Sequence, residues 1–243
     1  MVEKTKKDGM ECAPKVTLVK QDKKTHLGSE YFYELGTCSM PIPDAILKSF
    51  EALPTDPYIK GLVKYRKRRY RTALYEKGRF HWEEGERFEF KQSKILNTYV
   101  GDIDRVYDGI FPHVCDFLAQ WLEISVLPHL ESKNYLIGAH QLRVIATGGR
   151  TGLPAPEGFH QDGFDYVCII SIQRVNVRGG KTILKKKKND RHTLFEGYLK
   201  PREFLLLDDR SLFHYKGDVQ QIDQTADGLR DVFVVTFQHP KII

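Results

Sequence analysis

Two histidines, one aspartate and one arginine pose the chemical question for this chain. The stretch "GFHQDGFDYV", residues 158 to 167, sets His160 and Asp162 one residue apart at the mouth of an apolar run. A second imidazole, His214 in "DDRSLFHYKG", follows 52 residues after Asp162, and Arg230 in "GLRDVFVVTFQ" lies 16 residues beyond it. Taken singly, each has a plain reading: a His-x-Asp pair can be a satisfied structural pair, and His214 is one of nine histidines. Taken together, two imidazoles and one carboxylate make the facial set that binds ferrous iron and leaves three neighbouring positions open for a cosubstrate and dioxygen. Arg230 extends that reading, because a guanidinium stays charged when buried and can hold a carboxylate through two parallel hydrogen bonds. The distal carboxylate of a dicarboxylic cosubstrate would suit it. Its plain alternative is a salt bridge to Asp208 or Asp209.

These side chains need a scaffold that brings them together. On an extended strand, residues two apart project from one side, so His160 and Asp162 can reach one metal, and His214 must then arrive from a strand across a sandwich. The C-terminal half supplies such strands. "HQLRVIAT", "DYVCIISIQRVNV", "KTILKK", "REFLLLDD", "SLFHYKG" and "DVFVVTFQ" are short runs rich in β-branched and aromatic residues, separated by Gly, Pro, Asn and Asp. Ahead of them, "PIPDAILKSFEAL" has Ile46, Leu47, Phe50 and Leu53 at helical spacing between Pro43 and Pro54. Residues 103 to 130 carry a broad apolar stripe that predicts a long helix interrupted at Pro112, and "RFHWEEGERFEF" predicts a hairpin turning at Glu84-Gly85. Helices followed by six or more strands predict an α+β, mainly β fold: an antiparallel sandwich or jelly roll with helices packed on one side.

Composition bounds the rest. At 243 residues, with 41% hydrophobic and 12% aromatic residues, the chain fits one large core, expected over residues 29–243. Residues 1–28 read as a mobile, charged N-terminal extension in which "VTLV" is the one ordered piece. No membrane-length apolar run and no secretory core occur, so a cytoplasmic protein is expected. Cys12, Cys38, Cys115 and Cys168 form no Cys-x-x-Cys pair and read as buried thiols. The net charge of +6 favours anionic partners without naming one. "KYRKRRYR", Lys64 to Arg71, could bind phosphates and stack on bases, although a charge run is more often a solvated face; nucleic acid is not the expected partner. "KKKK", Lys185 to Lys188, reads as a charged hairpin tip.

The order His160-x-Asp162, His214, Arg230 resembles the 2-oxoglutarate- and Fe(II)-dependent dioxygenases. More narrowly, "HQLRVIATGGRTGLPAPEGFHQDGFDYVCIISIQRVNVRGGKT" is similar to the bacterial amino-acid hydroxylases of the isoleucine dioxygenase branch, as are "RRY" and "QSKILN" upstream. The shared parts are His-Gln-x-Arg, Pro-Glu-Gly before the histidine, Asp-Gly after it, and Arg-x-Asn followed by Gly-Gly. The likeness covers about residues 60 to 240. It implies a double-stranded β-helix of jelly-roll type, Fe(II) held by His160, Asp162 and His214, 2-oxoglutarate anchored by Arg230, and dioxygen as oxidant. The implied reaction hydroxylates an unactivated carbon of a free L-amino acid and releases succinate and carbon dioxide. One departure stands out: relatives place Ser or Thr two residues beyond the arginine, where this chain has Val232, so Thr236 on the same strand face is the candidate for a second contact to that carboxylate.

A free amino acid needs a cation for its carboxylate and an acceptor for its ammonium. Arg143, alternating with Gln141 on the "HQLRV" strand, is the candidate for the first, and Asp165 for the second; a supporting role is the alternative for each. A homodimer is allowed, and no membrane partner is expected. Two other readings compete: the same oxygenase acting on a nucleic acid or protein guided by residues 64–71, and a non-enzymatic jelly-roll module holding another divalent metal.

Overall fold

The computed structural model describes residues 16–26, 29–59, 65–92 and 101–240. An eight-stranded antiparallel sheet forms its base. In chain order its members are β1 (Val16–His26), β2 (Ser29–Cys38), β3 (Arg66–Glu76) and β4 (Arg79–Trp82), then β7 (Tyr135–Ala146), β8 (Tyr166–Val175), β12 (Glu203–Asp208) and β15 (Gly228–Gln238). Across the sheet they run β1-β2-β12-β8-β15-β7-β3-β4. Against it lies a smaller sheet of β10 (Thr182–Lys185), β11 (Phe195–Gly197) and β13 (Phe213–Lys216), in the order β11-β10-β13. Two short pairs complete the β structure: β5 (Arg87–Phe90) with β6 (Arg105–Asp108), and β9 (Val177–Gly179) with β14 (Val219–Gln221). This is the expected antiparallel jelly roll.

The large sheet is covered on both faces, and strand alternation sorts its side chains between them. On β15, Phe233, Val235 and Phe237 join the apolar cluster under the helices, whereas Val234 packs with the cluster between the sheets. Helix α1 (Asp44–Glu51) and helix α2 (Pro112–Ser125) both lie on the first face, as expected of helices gathered to one side. Helix α2 buries Val114, Phe117, Leu118, Trp121, Leu122 and Ser125, a stripe of helical period, and Trp121 meets Phe204 edge-on with ring centroids 5.4 Å apart. A fully buried tryptophan of this kind is worth about 3–5 kcal/mol against truncation to alanine.

Several expectations are corrected. Pro112 does not interrupt a helix running from 103; it opens α2 as its first residue, where the missing N–H costs nothing, and β6 occupies the residues before it. The segment 79–90 is not one hairpin, because β4 pairs with β3 and β5 pairs with β6. Residues 16–26, assigned to a mobile extension, form β1 and pair with β2 along its length, so the ordered "VTLV" piece is the start of an 11-residue strand. "KKKK" does start at the end of β10 and runs into the β10–β11 loop. The "SKILN" part of the resemblance, and Lys64, lie outside the described residues. Among those described, no helix is long and apolar enough to cross a membrane.

Candidate metal centre

The connection between β7 and β8 carries His160 alongside β13. There the His160 N–H donates to the His214 carbonyl at 3.0 Å, and the His214 N–H donates to the His160 carbonyl at 2.9 Å. That reciprocal bridge sets the two imidazoles together with ring centroids 4.3 Å apart. The extended strand expected through His160 and Asp162 is instead this single bridge followed by a turn. The turn is held by one carboxylate: the N–H groups of Asp162, Gly163 and Phe164 donate to Asp209 at 3.1, 2.7 and 3.2 Å. One ligand atom from each of His160, Asp162 and His214 lies within 4.8 Å of the other two.

Each donor is oriented by a second group, as metal-binding side chains are. His160 Nδ1 sits 2.8 Å from the Gly158 carbonyl and is fixed as the donor there, which leaves Nε2 for a metal. His214 Nδ1 faces Asp209 Oδ1 at 3.4 Å, and its Nε2 lies 3.4 Å from Asp162 Oδ2. Gln92 donates to Asp162 Oδ1 at 2.9 Å and accepts from Arg105 Nη2 at 2.8 Å. Glu157 Oε1, 3.3 Å from His160 Nε2, adds a further carboxylate beside the donor set. Burial acts to raise the Asp162 carboxyl and to lower the His214 imidazole, but their mutual attraction, with Asp209 behind His214, outweighs it in both. The carboxyl is held far below its usual range and the imidazole is pushed up. Two imidazoles and a carboxylate with these partners suit a divalent metal.

The donors open into a cavity of about 100 Å³ between the sheets. Its wall from the large sheet includes Arg66 and Arg68 on β3, His140 on β7, and Val234 and Thr236 on β15. At another side stands Lys216, two residues beyond His214 on β13, buried and donating to Thr182 Oγ1. Arg230 lies close to Lys216: burial first, and then the charge of Arg230, hold the Lys216 ammonium well below its usual range, while burial first, and then Arg174, bring Arg230 down to about 10. Gly180, at φ +72°, lets Arg230 approach, since a Cβ there would fall 3.2 Å from Arg230 Cδ. Arg230 Nε and Arg174 Nη1 are buried without partners, and among the described residues Lys216, Arg174 and Arg230 form no ion pair. Asp208 and Asp209, the plain alternative partners of Arg230, are engaged by Arg210 and Ser211 and by the metal-site turn. Buried cations without an anion fit a carboxylate ligand.

The remaining expected site residues fall elsewhere. Thr236 lines the cavity, but six residues of extended strand, about 20 Å, separate it from Arg230, so the two cannot share one carboxylate. Its hydroxyl donates to Gly138 O at 3.2 Å. Gln141 and Arg143 point to the opposite face of β7: Gln141 donates to Ser49 Oγ on α1 at 2.8 Å, and Arg143 forms a two-pronged bond to Asp231 at 2.7 Å. Asp165 is taken by His239, Gln238 and Arg210 and does not line the cavity. None of these three can meet a substrate beside the donors. Conversely, the sequence does not disclose the site roles of Gln92, Arg68, Arg105 and Lys216, although Gln92 opens "QSKILN", Arg68 belongs to the basic run and Lys216 follows the second histidine, and it offers Asp209 only as a partner for Arg230.

A profile of the 2OG-Fe dioxygenase family matches residues 47–236. Among solved structures, a BsmA homologue from Methylobium petroleophilum PM1 is 26% identical, with a TM-score of 0.66 over 81% of this chain and 80% of that one. IDO from Bacillus thuringiensis is similar in fold at 17% identity, with a TM-score of 0.56 over 80% of this chain and 82% of that one. The Fe(II)/α-ketoglutarate-dependent dioxygenase TqaL is similar at 16% identity, with a TM-score of 0.55 over 82% and 75%. No functionally curated protein matches.

Proposed function

The chain belongs to the 2OG-Fe dioxygenase family, which works with Fe(II), 2-oxoglutarate and dioxygen, and on that premise we propose that it hydroxylates an unactivated carbon of a free L-amino acid. His160 Nε2, Asp162 and His214 Nε2 would hold the iron; Gly158 O, Gln92 and Asp209 keep those three aimed. Bound iron with its cosubstrate supplies the oxidising power, and the chain supplies position: which carbon faces the metal, and what water is kept out. Arg230 serves the distal carboxylate of 2-oxoglutarate. Lys216, lining the cavity beside it, takes the place of the hydroxyl that Val232 cannot provide.

The observation that carries the small-molecule reading is the fate of the basic run. Arg66 and Arg68 are turned into the cavity, while Arg69 and Arg71 donate to the Gly109, Ile110 and Glu83 carbonyls. Four of its six cations are therefore spent inside the fold, which removes the motive for a polymeric substrate. The test is incubation with Fe(II), 2-oxoglutarate, ascorbate and each of the twenty amino acids, followed by mass spectrometry. A gain of one oxygen on an amino acid, matched by succinate, is expected; succinate release stimulated by a peptide or an oligonucleotide and by no amino acid would overturn the reading.

A further inference from the structure

Two arginines in the cavity wall have no work in the chemistry described so far. Arg68 comes from β3 and Arg105 from β6, 7% and 2% exposed, and each keeps a buried Nε without a partner. Neither forms an ion pair among the described residues. Of the carboxylates around them, Asp56 is committed to Arg66 at 2.9 Å and to the Tyr58 N–H at 3.0 Å, and Glu157 and Asp162, which line the same cavity, face His160 at 3.3 Å and His214 at 3.4 Å. Burial lowers the proton affinity of Arg68, and the charges of Arg66 and Arg105 lower it further against the opposing pull of Tyr107 and Asp56. Gathering like charges away from water without a counter-ion is costly, and a folded chain tolerates it where an anionic ligand completes the set.

The two guanidiniums are also held still. Arg68 lies over Tyr107 at 4.4 Å and Arg105 over Phe90 at 4.6 Å, ring contacts that keep each plane in place. His140, kept neutral by burial and by Arg68, accepts from Arg68 Nη2 at 2.6 Å. Arg105 is tied through Gln92 to Asp162, so an anion at this pair lies one glutamine from the metal donors. Lys216 enters the same cavity from β13, and with Arg230, which does not line it, already answers the cosubstrate.

We propose that Arg68 and Arg105 form the seat of the substrate's carboxylate, so that the enzyme takes carboxylic acids and discriminates against the same skeleton with that group neutralised. This deepens the amino-acid reading and rests on it for the amine alone. The test is calorimetric titration of the anaerobic Fe(II)- and 2-oxoglutarate-loaded protein with the twenty L-amino acids, their carboxamides, and the matching acids without the amine. Amino acids should bind on the order of 30-fold or more tightly than their amides. In Arg68→Met and Arg105→Met that preference should vanish, and Arg68→Lys, which keeps the charge and loses the fork, should retain part of it. The wild-type comparison needs no variant to fold. Equal binding of amino acids and amides removes the seat and leaves the amino-acid reading standing. Binding of the amine-free acids without the amino acids keeps the seat and removes that reading; binding of no acid removes both, as an unchanged preference in both methionine variants removes the seat.

Discussion

At the scale of residues, the metal donors were legible and their supports were not. His160 and Asp162 are neighbours in the chain, so their residue types alone suggest a shared ligand, and His214 completes a known chemical set. Gln92 meets Asp162 across 70 residues, and nothing in its own surroundings announces that contact. Arg143 and Gln141 were misread for a different reason. Alternation on β7 correctly put them on one face, but both faces of this sheet are buried, so the hydrophobic pattern carries no phase and the wrong face is as plausible as the right one. The correction has a measurable consequence. Arg143→Met leaves Asp231 buried, with Gln173 as its one remaining side-chain donor among the described residues, and should cost roughly 3 kcal/mol in urea unfolding, while succinate formation per folded molecule stays at the wild-type level. A tenfold loss of turnover without loss of stability would return Arg143 to the substrate site.

At the scale of elements, strand propensity located β8, β10, β12 and β13 closely and β7 and β15 without their first five and three residues, whereas the one pairing expected before residue 130 was wrong. "RFHWEEGERFEF" alternates well enough for a hairpin, yet β4 and β5 find partners in β3 and β6. Which strand a run pairs with is decided by tertiary packing, and alternation is silent about it. The run "RKRRY" shows the same limit, since a charged strand looks solvated until its alternate residues prove to enter a cavity. Strand β2 contains a titratable device of its own. Glu34 is fully buried, and burial raises its carboxyl from 4.5 to about 7, with His129 Nε2 3.3 Å away. The native state thus holds this proton more tightly than the unfolded chain. Its contribution is fully present below about pH 4.5 and is lost as pH rises through about 7. Replacing Glu34 by Gln should therefore stabilise the protein at pH 8 on the order of 3 kcal/mol more than at pH 4.5. Urea midpoints at the two pH values check this, and an equal effect at both would show that the buried carboxyl is not protonated in the native state.

At the scale of the whole molecule, the jelly roll was readable because the strands after α2 are β-branched or aromatic and separated by turn residues, whereas β1 to β6, which precede α2, did not show as a layer of the same sandwich. What the fold adds is convergence. A backbone bridge between two distant segments puts His160 against His214, one carboxylate folds the turn after His160 so that Asp162 completes the set, and β3 of the large sheet and β6 of a short pair deliver arginines to the same cavity. All later chemistry depends on that convergence binding one metal. Equilibrium dialysis of Fe(II) under anaerobic conditions, on the wild type and on His160→Ala, Asp162→Ala and His214→Ala, measures it directly. One ferrous ion per wild-type chain is predicted, with affinity falling at least about 100-fold in each variant whose melting transition is retained. Wild-type affinity in any one of the three, or no stoichiometric binding by the intact chain, would contradict the account.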